Sequence, residues 1–231
     1  MSTVANAEHP APSRALAVTT ALLMATCAGA VDLWAITSLA GTYAGVATGN
    51  LVSVGRAAGE GAYAALVPPA LAVGGFALGV AAWSFVWRHR PTAIAVPLVC
   101  ELVVLTAAAT VWIASGAFPS APLALVLLVL TATAMGGQSA IALRVGDATT
   151  YMTGTLTTAV AAAASGRDRS QLVVLRQLLA LVLGALIASL LLAHARWATP
   201  LPALVALVAA LALRAARETL TRHDTVQEIT P

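Results

Sequence analysis

The sequence contains no lysine. All 12 of its basic residues are arginine, and charged residues of any kind make up 9% of its 231 positions. A water-soluble domain of this length cannot clothe its surface with so little charge, so a soluble enzyme or binding module is excluded. Cysteine is nearly missing too. Cys27 and Cys100 both fall inside apolar runs, which leaves no disulfide framework and no CxxC site, and they read as small hydrophobes. The four histidines, His9, His89, His194 and His223, stand at tails or at the ends of apolar runs and make no metal-ligand pattern. There is no HExxH, no GxSxG, no P-loop and no pair of catalytic carboxylates. The sequence therefore predicts no enzyme, no metal and no cofactor. The net charge of +3 does not point to nucleic acid, because most of the arginines sit at the ends of apolar runs, where a lipid bilayer places them.

What the chain has is apolar length. It is 60% hydrophobic, with a mean hydropathy of +0.90. Six long runs, about 16–39, 64–87, 93–116, 121–143, 171–195 and 200–216, approach or exceed the roughly 20 residues that cross a bilayer. The first is too long for a signal-peptide core and lacks a convincing cleavage site, so it is kept as a span. A shorter, more polar segment, 42–58, separates the first two runs, and another, 149–165, separates the fourth and fifth. Residues 1–15 and 217–231 read as tails. The five tryptophans stand mostly near predicted span ends, as an aromatic belt would.

The order long, short, long, long occurs twice, in 16–116 and in 121–216. A shift of 105 residues places Thr48-Gly49 on Thr153-Gly154, Leu78-Gly79 on Leu183-Gly184 and Pro97 on Pro202. One shift across three elements points to an internal duplication. Arginine placement then addresses whether the short segments cross. If they dip in and return, Arg14, Arg88, Arg90, Arg144, Arg167, Arg169, Arg214, Arg217 and Arg222 are cytoplasmic, and Arg56 and Arg196 are outside, nine against two. If all eight segments cross, the division is seven against four. The six-crossing arrangement follows the positive-inside rule better. Three crossings per half is odd, so the second half enters the bilayer upside down. The expected fold is an all-α membrane protein with six transmembrane helices, two short re-entrant or broken helical segments, an inverted 3+3 repeat and both termini cytoplasmic.

The short segments hold the candidate site. In TTYMTGTLTT (149–158), six of ten residues are threonine. Gly154 lets the backbone bend, and Thr153 and Thr155 add donors and acceptors for a solute. The weaker copy, VATGNLVS (46–53), offers Thr48, Gly49 and the amide of Asn50. The plain alternatives are threonine hydroxyls bonded back to their own helix, or glycine and threonine packing helices tightly. Asp32, toward the outer half of the first run, needs a partner, a wet cavity or a proton, unless the span ends before it. Gln138 is its counterpart and could share that cavity or bridge two helices. Glu101 lies about eight residues into the third run, so it calls for burial in protein. Arg176, inside the fifth run, is a candidate ion-pair partner or a residue that snorkels to the interface.

The second half, GGQSAIALRVGDATTYMTGTLTTAV (136–160), resembles the signature of the YoaK-like family of bacterial membrane proteins, also catalogued as domain of unknown function 1275. That family has a Gly-Gln motif followed by T-T-x-M-T-G-T. Its first half carries an Asp at the end of the first span and a T-G-N motif, which Asp32 and Thr48-Gly49-Asn50 resemble. The likeness covers about 16–214. This chain departs from the family pattern ahead of T-G-N, with Tyr43 and Val46-Ala47 where the family tends to have Phe and a further Asn. The resemblance implies a six-span inner-membrane protein.

The site residues point to a small-solute transporter or facilitator, with Thr48, Asn50, Gln138, Thr153 and Thr155 along the path and Asp32 and Glu101 as coupling groups. The competing readings are a passive channel and a non-transporting scaffold or lipid-interacting protein. Small-residue faces such as GGFALG (74–79) permit a homodimer as well as packing within one chain. The inverted repeat is checked by labelling. With Cys27 and Cys100 replaced by alanine, Arg90→Cys and Arg167→Cys should react with an impermeant maleimide from the same face of the membrane. Reaction from opposite faces would exclude two inverted halves.

Overall fold

The computed structural model describes residues 11–89, 95–145, 156–157, 160–161 and 171–227. They form α1 (Ala11–Ser38), α2 (Ala47–Gly59), α3 (Tyr63–His89), α4 (Ala95–Ala114), α5 (Ala121–Val145), α6 (Gln171–His194), a 3-10 turn (Arg196–Ala198) and α7 (Leu201–Gln227). Among the described residues, six stretches are long and apolar enough to cross a membrane: Leu16–Ser38, Tyr63–His89, Ala95–Ala114, Ala121–Arg144, Val174–His194 and Arg196–Ala216. They coincide with the six runs read from the sequence. The chain is a multi-pass, all-helical membrane protein.

Lipid gives helices no hydrophobic reason to associate, so packing depends on close backbone contact. Two crossings supply it. At α3 against α5, a side chain at Gly79 would collide with the Thr133 carbonyl, and one at Gly136 with the Phe76 carbonyl. At α1 against α6, a side chain at Gly29 would meet the Leu181 carbonyl, and one at Gly184 the Thr26 carbonyl. These are the two most extensive helix pairs in the fold. Beyond them, α1 packs on α7, α5 on α4, and α4 on α7, while α2 packs on α3. Among the described residues the most enclosed span is that of α5, with 72% of an 18-residue apolar window buried, against 17% for α6. The first and fifth helices thus form the centre, and α3, α4, α6 and α7 are arranged about them.

Ring and backbone contacts fix which helix ends share a face. Trp34, near the end of α1, meets Trp112, near the end of α4, edge to face with centroids 5.7 Å apart. Arg196, just beyond α6, donates from Nε to the Ala117 carbonyl at 2.8 Å and lies over the rings of Trp112 (5.4 Å) and Phe118 (4.4 Å). Trp112 Nε1 donates to the Arg196 carbonyl in return, at 3.3 Å. The ends of α1, α4 and α6 therefore share one face with the start of α5. At the other face, Arg144 at the end of α5 lies 5.0 Å from the ring of Trp87 at the end of α3. Each cation–ring contact is worth about 0.5–2 kcal/mol, the more so where desolvated. The exposed Arg56–Glu60 pair at the end of α2 (3.1 Å) contributes less, about 0.3–0.5 kcal/mol.

The glycine crossings give a direct test. Gly79→Leu and Gly184→Leu force a side chain into a backbone carbonyl that cannot step aside, a cost of at least about 1–3 kcal/mol. Both should lower the melting temperature and the monodisperse yield in detergent. Gly74→Leu, which meets nothing within 4 Å, should retain the parent's yield and melting temperature.

Candidate functional site

The polar side chains inside the bundle cluster along α1. Toward its end, Asp32 stands six residues before Ser38, about 9 Å along the helix. The chain leaves α1 through Ala40 and Gly41, both in the left-handed region at φ 73° and 70°, and turns back toward that level. There the Gly45 N–H donates to Asp32 Oδ1 at 2.7 Å. A side chain at Gly45 would stand 3.3 Å from Asp32 Oδ2, so glycine lets the backbone lie against the carboxylate. The helix α2 starts two residues later. Its N-cap residue, Val46, offers no side-chain acceptor, and the acceptor nearest the start of the helix is the Asp32 carboxyl on the Gly45 N–H. Asn50 is 2% exposed and donates from Nδ2 to the Tyr43 carbonyl at 2.8 Å, tying the same loop from the other side.

The first Thr-Gly element accordingly begins beside an acid inside the span. Thr48 is exposed and Gly49 half-buried. A side chain at Gly49 would touch nothing but Val46 Cγ1 at 3.4 Å, so this glycine is not there for tight helix packing. The second element, with Thr153, Gly154 and Thr155, lies outside the described residues.

Deeper in the bundle, Glu101 of α4 is 3% exposed. Its Oε1 accepts from the Cys27 thiol of α1 at 3.9 Å, and its Oε2 has no partner. Arg176 is not brought to it. That arginine is exposed on α6, five residues beyond Gln171, about 8 Å along the helix, which suits a side chain reaching for the interface. Neither Asp32 nor Glu101 forms an ion pair among the described residues. Gln138 of α5 is wholly buried and donates from Nε2 to the Met24 carbonyl of α1 at 2.7 Å. That carbonyl can only accept, so it fixes which way the amide faces and leaves Gln138 Oε1 turned away, without a partner. Gln138 thus meets α1 eight residues from Asp32, about 12 Å along the helix, and the two do not share one cavity.

Sequence reasoning missed Cys27. A lone cysteine in an apolar run carries no signal of the carboxyl it meets 74 positions later. No group of three or more potential metal ligands occurs among the described residues.

Asp32→Ala strips the half-buried Gly45 N–H of its acceptor, which costs at most about 1–3 kcal/mol. The variant should unfold at lower temperature and be cut faster by protease within 39–46, and Asp32→Asn, which keeps an acceptor oxygen, should lie between it and the parent. Equal stability of Asp32→Ala and the parent would deny the carboxylate its role in holding α2.

A family model described as "Protein of unknown function (DUF1275)" matches residues 20–213. No curated protein and no solved structure matches the chain.

Proposed function

The chain belongs to the DUF1275 family, and we propose that it is a small-solute transporter or facilitator of the bacterial inner membrane, not an enzyme. Its polar site lies near mid-membrane along α1. The observation that carries this reading is the placement of two carboxyl groups, Asp32 and Glu101, within spanning helices and without a basic partner among the described residues. An acid in hydrocarbon is expensive and is found where a pathway, a proton or an ion needs it. The first Thr-Gly element adds to this: α2 begins beside Asp32, inside the span, and carries Thr48 exposed on its first turn.

The proposed inverted repeat fits the same reading. When 16–116 and 121–216 are exchanged, α1 takes the place of α5, α3 of α6 and α4 of α7. The packing of α3 on α5 then becomes that of α6 on α1, and the packing of α1 on α7 becomes that of α5 on α4. Gly79 and Gly184, at the two principal crossings, are the 105-residue equivalents. Each half therefore places its first helix against the second and third long helices of the other half. That arrangement sets a site between two rigid halves, as alternating access requires. The second Thr-Gly element, Thr153-Gly154-Thr155, is its counterpart in the other half. By the arginine count, both termini are cytoplasmic.

An open groove along α4, lined by Leu102, Val103, Thr106, Ala107, Thr110 and Val111, favours a second reading. In it this face receives a helix, of a partner or a second copy, and the chain is a membrane scaffold.

Flux of a panel of polar solutes into proteoliposomes separates the two. The parent should accumulate or equilibrate at least one solute, and Thr48→Val and Thr153→Val should each slow that flux while leaving the protein folded. Flux unchanged in both variants would remove the Thr-Gly elements from the path. Absence of flux across the panel would favour the scaffold.

A further inference from the structure

Two of the buried polar atoms that the fold leaves unpartnered belong to one three-helix junction. Glu101 Oε2 comes from α4 and Gln138 Oε1 from α5, and both side chains reach α1. The Met24 carbonyl, which holds the Gln138 amide, points along α1 to the turn containing Cys27 and Ala28, as every carbonyl in an α-helix points to the residue four positions on. Cys27 is the residue that holds Glu101 Oε1. The amide and the carboxyl thus approach one turn of α1, each with one oxygen engaged and one oxygen free.

The chemistry of the junction narrows what could occupy it. Both free atoms are acceptors, so an occupant has to bring a hydrogen-bond donor or a positive charge. A bare metal cation is poorly served, because hard cations collect six or more oxygens. The nearby hydroxyls of α5 are already turned onto their own helix, Thr131 to the Leu127 carbonyl and Ser139 to the Met135 carbonyl. A proton needs a single acceptor. Gln138 Oε1 can then accept from the carboxylic O–H, directly or through one water, while the Cys27 thiol keeps the other oxygen.

We propose that the junction of α1, α4 and α5 is a proton-binding site, in which Glu101 takes up and releases one proton held by Gln138. One O–H bond is made and broken, and the proton is exchanged with water. The purpose assigned to it, coupling to solute movement, rests on the transporter reading; the binding itself does not. Among the described residues, the titratable group within hydrogen-bonding reach of Glu101 is Cys27. Asp32 lies five residues further along α1 and is engaged with Gly45. On the other elements packed against α4, the charged groups are Arg144 at the end of α5, over the Trp87 ring, Arg196, over the Trp112 ring, and, within the spanning part of α7, Arg214.

The test uses the full chain in detergent. Infrared difference spectra between about pH 7, where exposed carboxyls are already ionised, and alkaline pH should contain the carbonyl stretch of a neutral carboxylic acid. That band should vanish in Glu101→Gln, which keeps an acceptor for the Cys27 thiol, shift in Gln138→Leu, and persist in Asp32→Asn. Dicyclohexylcarbodiimide should leave an adduct on Glu101, located by mass spectrometry, whose yield follows pH and not sodium. A band unaltered in both Glu101→Gln and Gln138→Leu would overturn the proposal, as would protection of Glu101 by sodium at constant pH. The band in a protein that moves no solute would sustain the proton site and sink the transporter reading. Flux with a pH profile unchanged by Glu101→Gln, and no band, would do the reverse.

Discussion

Close backbone contact at glycine is the constraint from which the rest of this structure follows. In water, burial of apolar surface would gather six such helices, but in lipid that drive is gone and dispersion between well-fitted surfaces takes over. Gly79 with Gly136, and Gly29 with Gly184, allow two pairs of helices to approach until backbone carbonyls bar any side chain. Those contacts hold α1 and α5 at the centre of the bundle. Once α1 and α5 are placed, the reach of Gln138 to Met24, and of Glu101 from α4 to Cys27, is set by side-chain length alone.

The second theme is how polar groups are accommodated where water is scarce. A loop of backbone at membrane depth is tolerated when protein supplies its hydrogen bonds. Here Asp32 and Asn50 supply them to 43–45, and α2 can begin without a capping side chain of its own. The threonines of the spans follow a different rule. Thr20, Thr26, Thr110, Thr131 and Thr133 each bond to the carbonyl four residues back, which satisfies the hydroxyl and leaves the helix surface apolar. Thr48 lies on the first turn of α2, where no earlier turn exists to take its hydroxyl.

Much of the fold was legible because a bilayer imposes a length. The six runs could be counted, and their ends fall within a few residues of the apolar spans observed, although the first helix begins earlier, at Ala11, and the last continues to Gln227 through residues read as a tail. The short segment 42–58 was visible as a break in hydropathy, and its helix, Ala47–Gly59, begins inside those bounds and ends one residue past them. The polar residues were legible by identity but not by partner. Asp32, Asn50, Glu101 and Gln138 stood out against an apolar background, yet each makes its bond to a backbone group or a thiol. Sequence alone assigns no special value to the amide of Gly45, the carbonyl of Met24 or the sulfur of Cys27. Arg176 stood out in the same way, and its exposure on α6 shows the limit of pairing charges by type when the helices that carry them face different neighbours. The 105-residue shift paired Gly79 with Gly184, and each of them meets a backbone carbonyl of a neighbouring helix.

Arg196 has a mechanical consequence. Its guanidinium bonds the Ala117 carbonyl and covers two aromatic rings, and its backbone carbonyl accepts from an indole N–H. It rivets the α4–α5 corner to the α6–α7 corner, so four of the six spans are fastened together at that face. Were the bundle to rock, as the transport proposed above would require, such a rivet would set the fulcrum there and the largest excursions at the far rim, where α3 and α5 end.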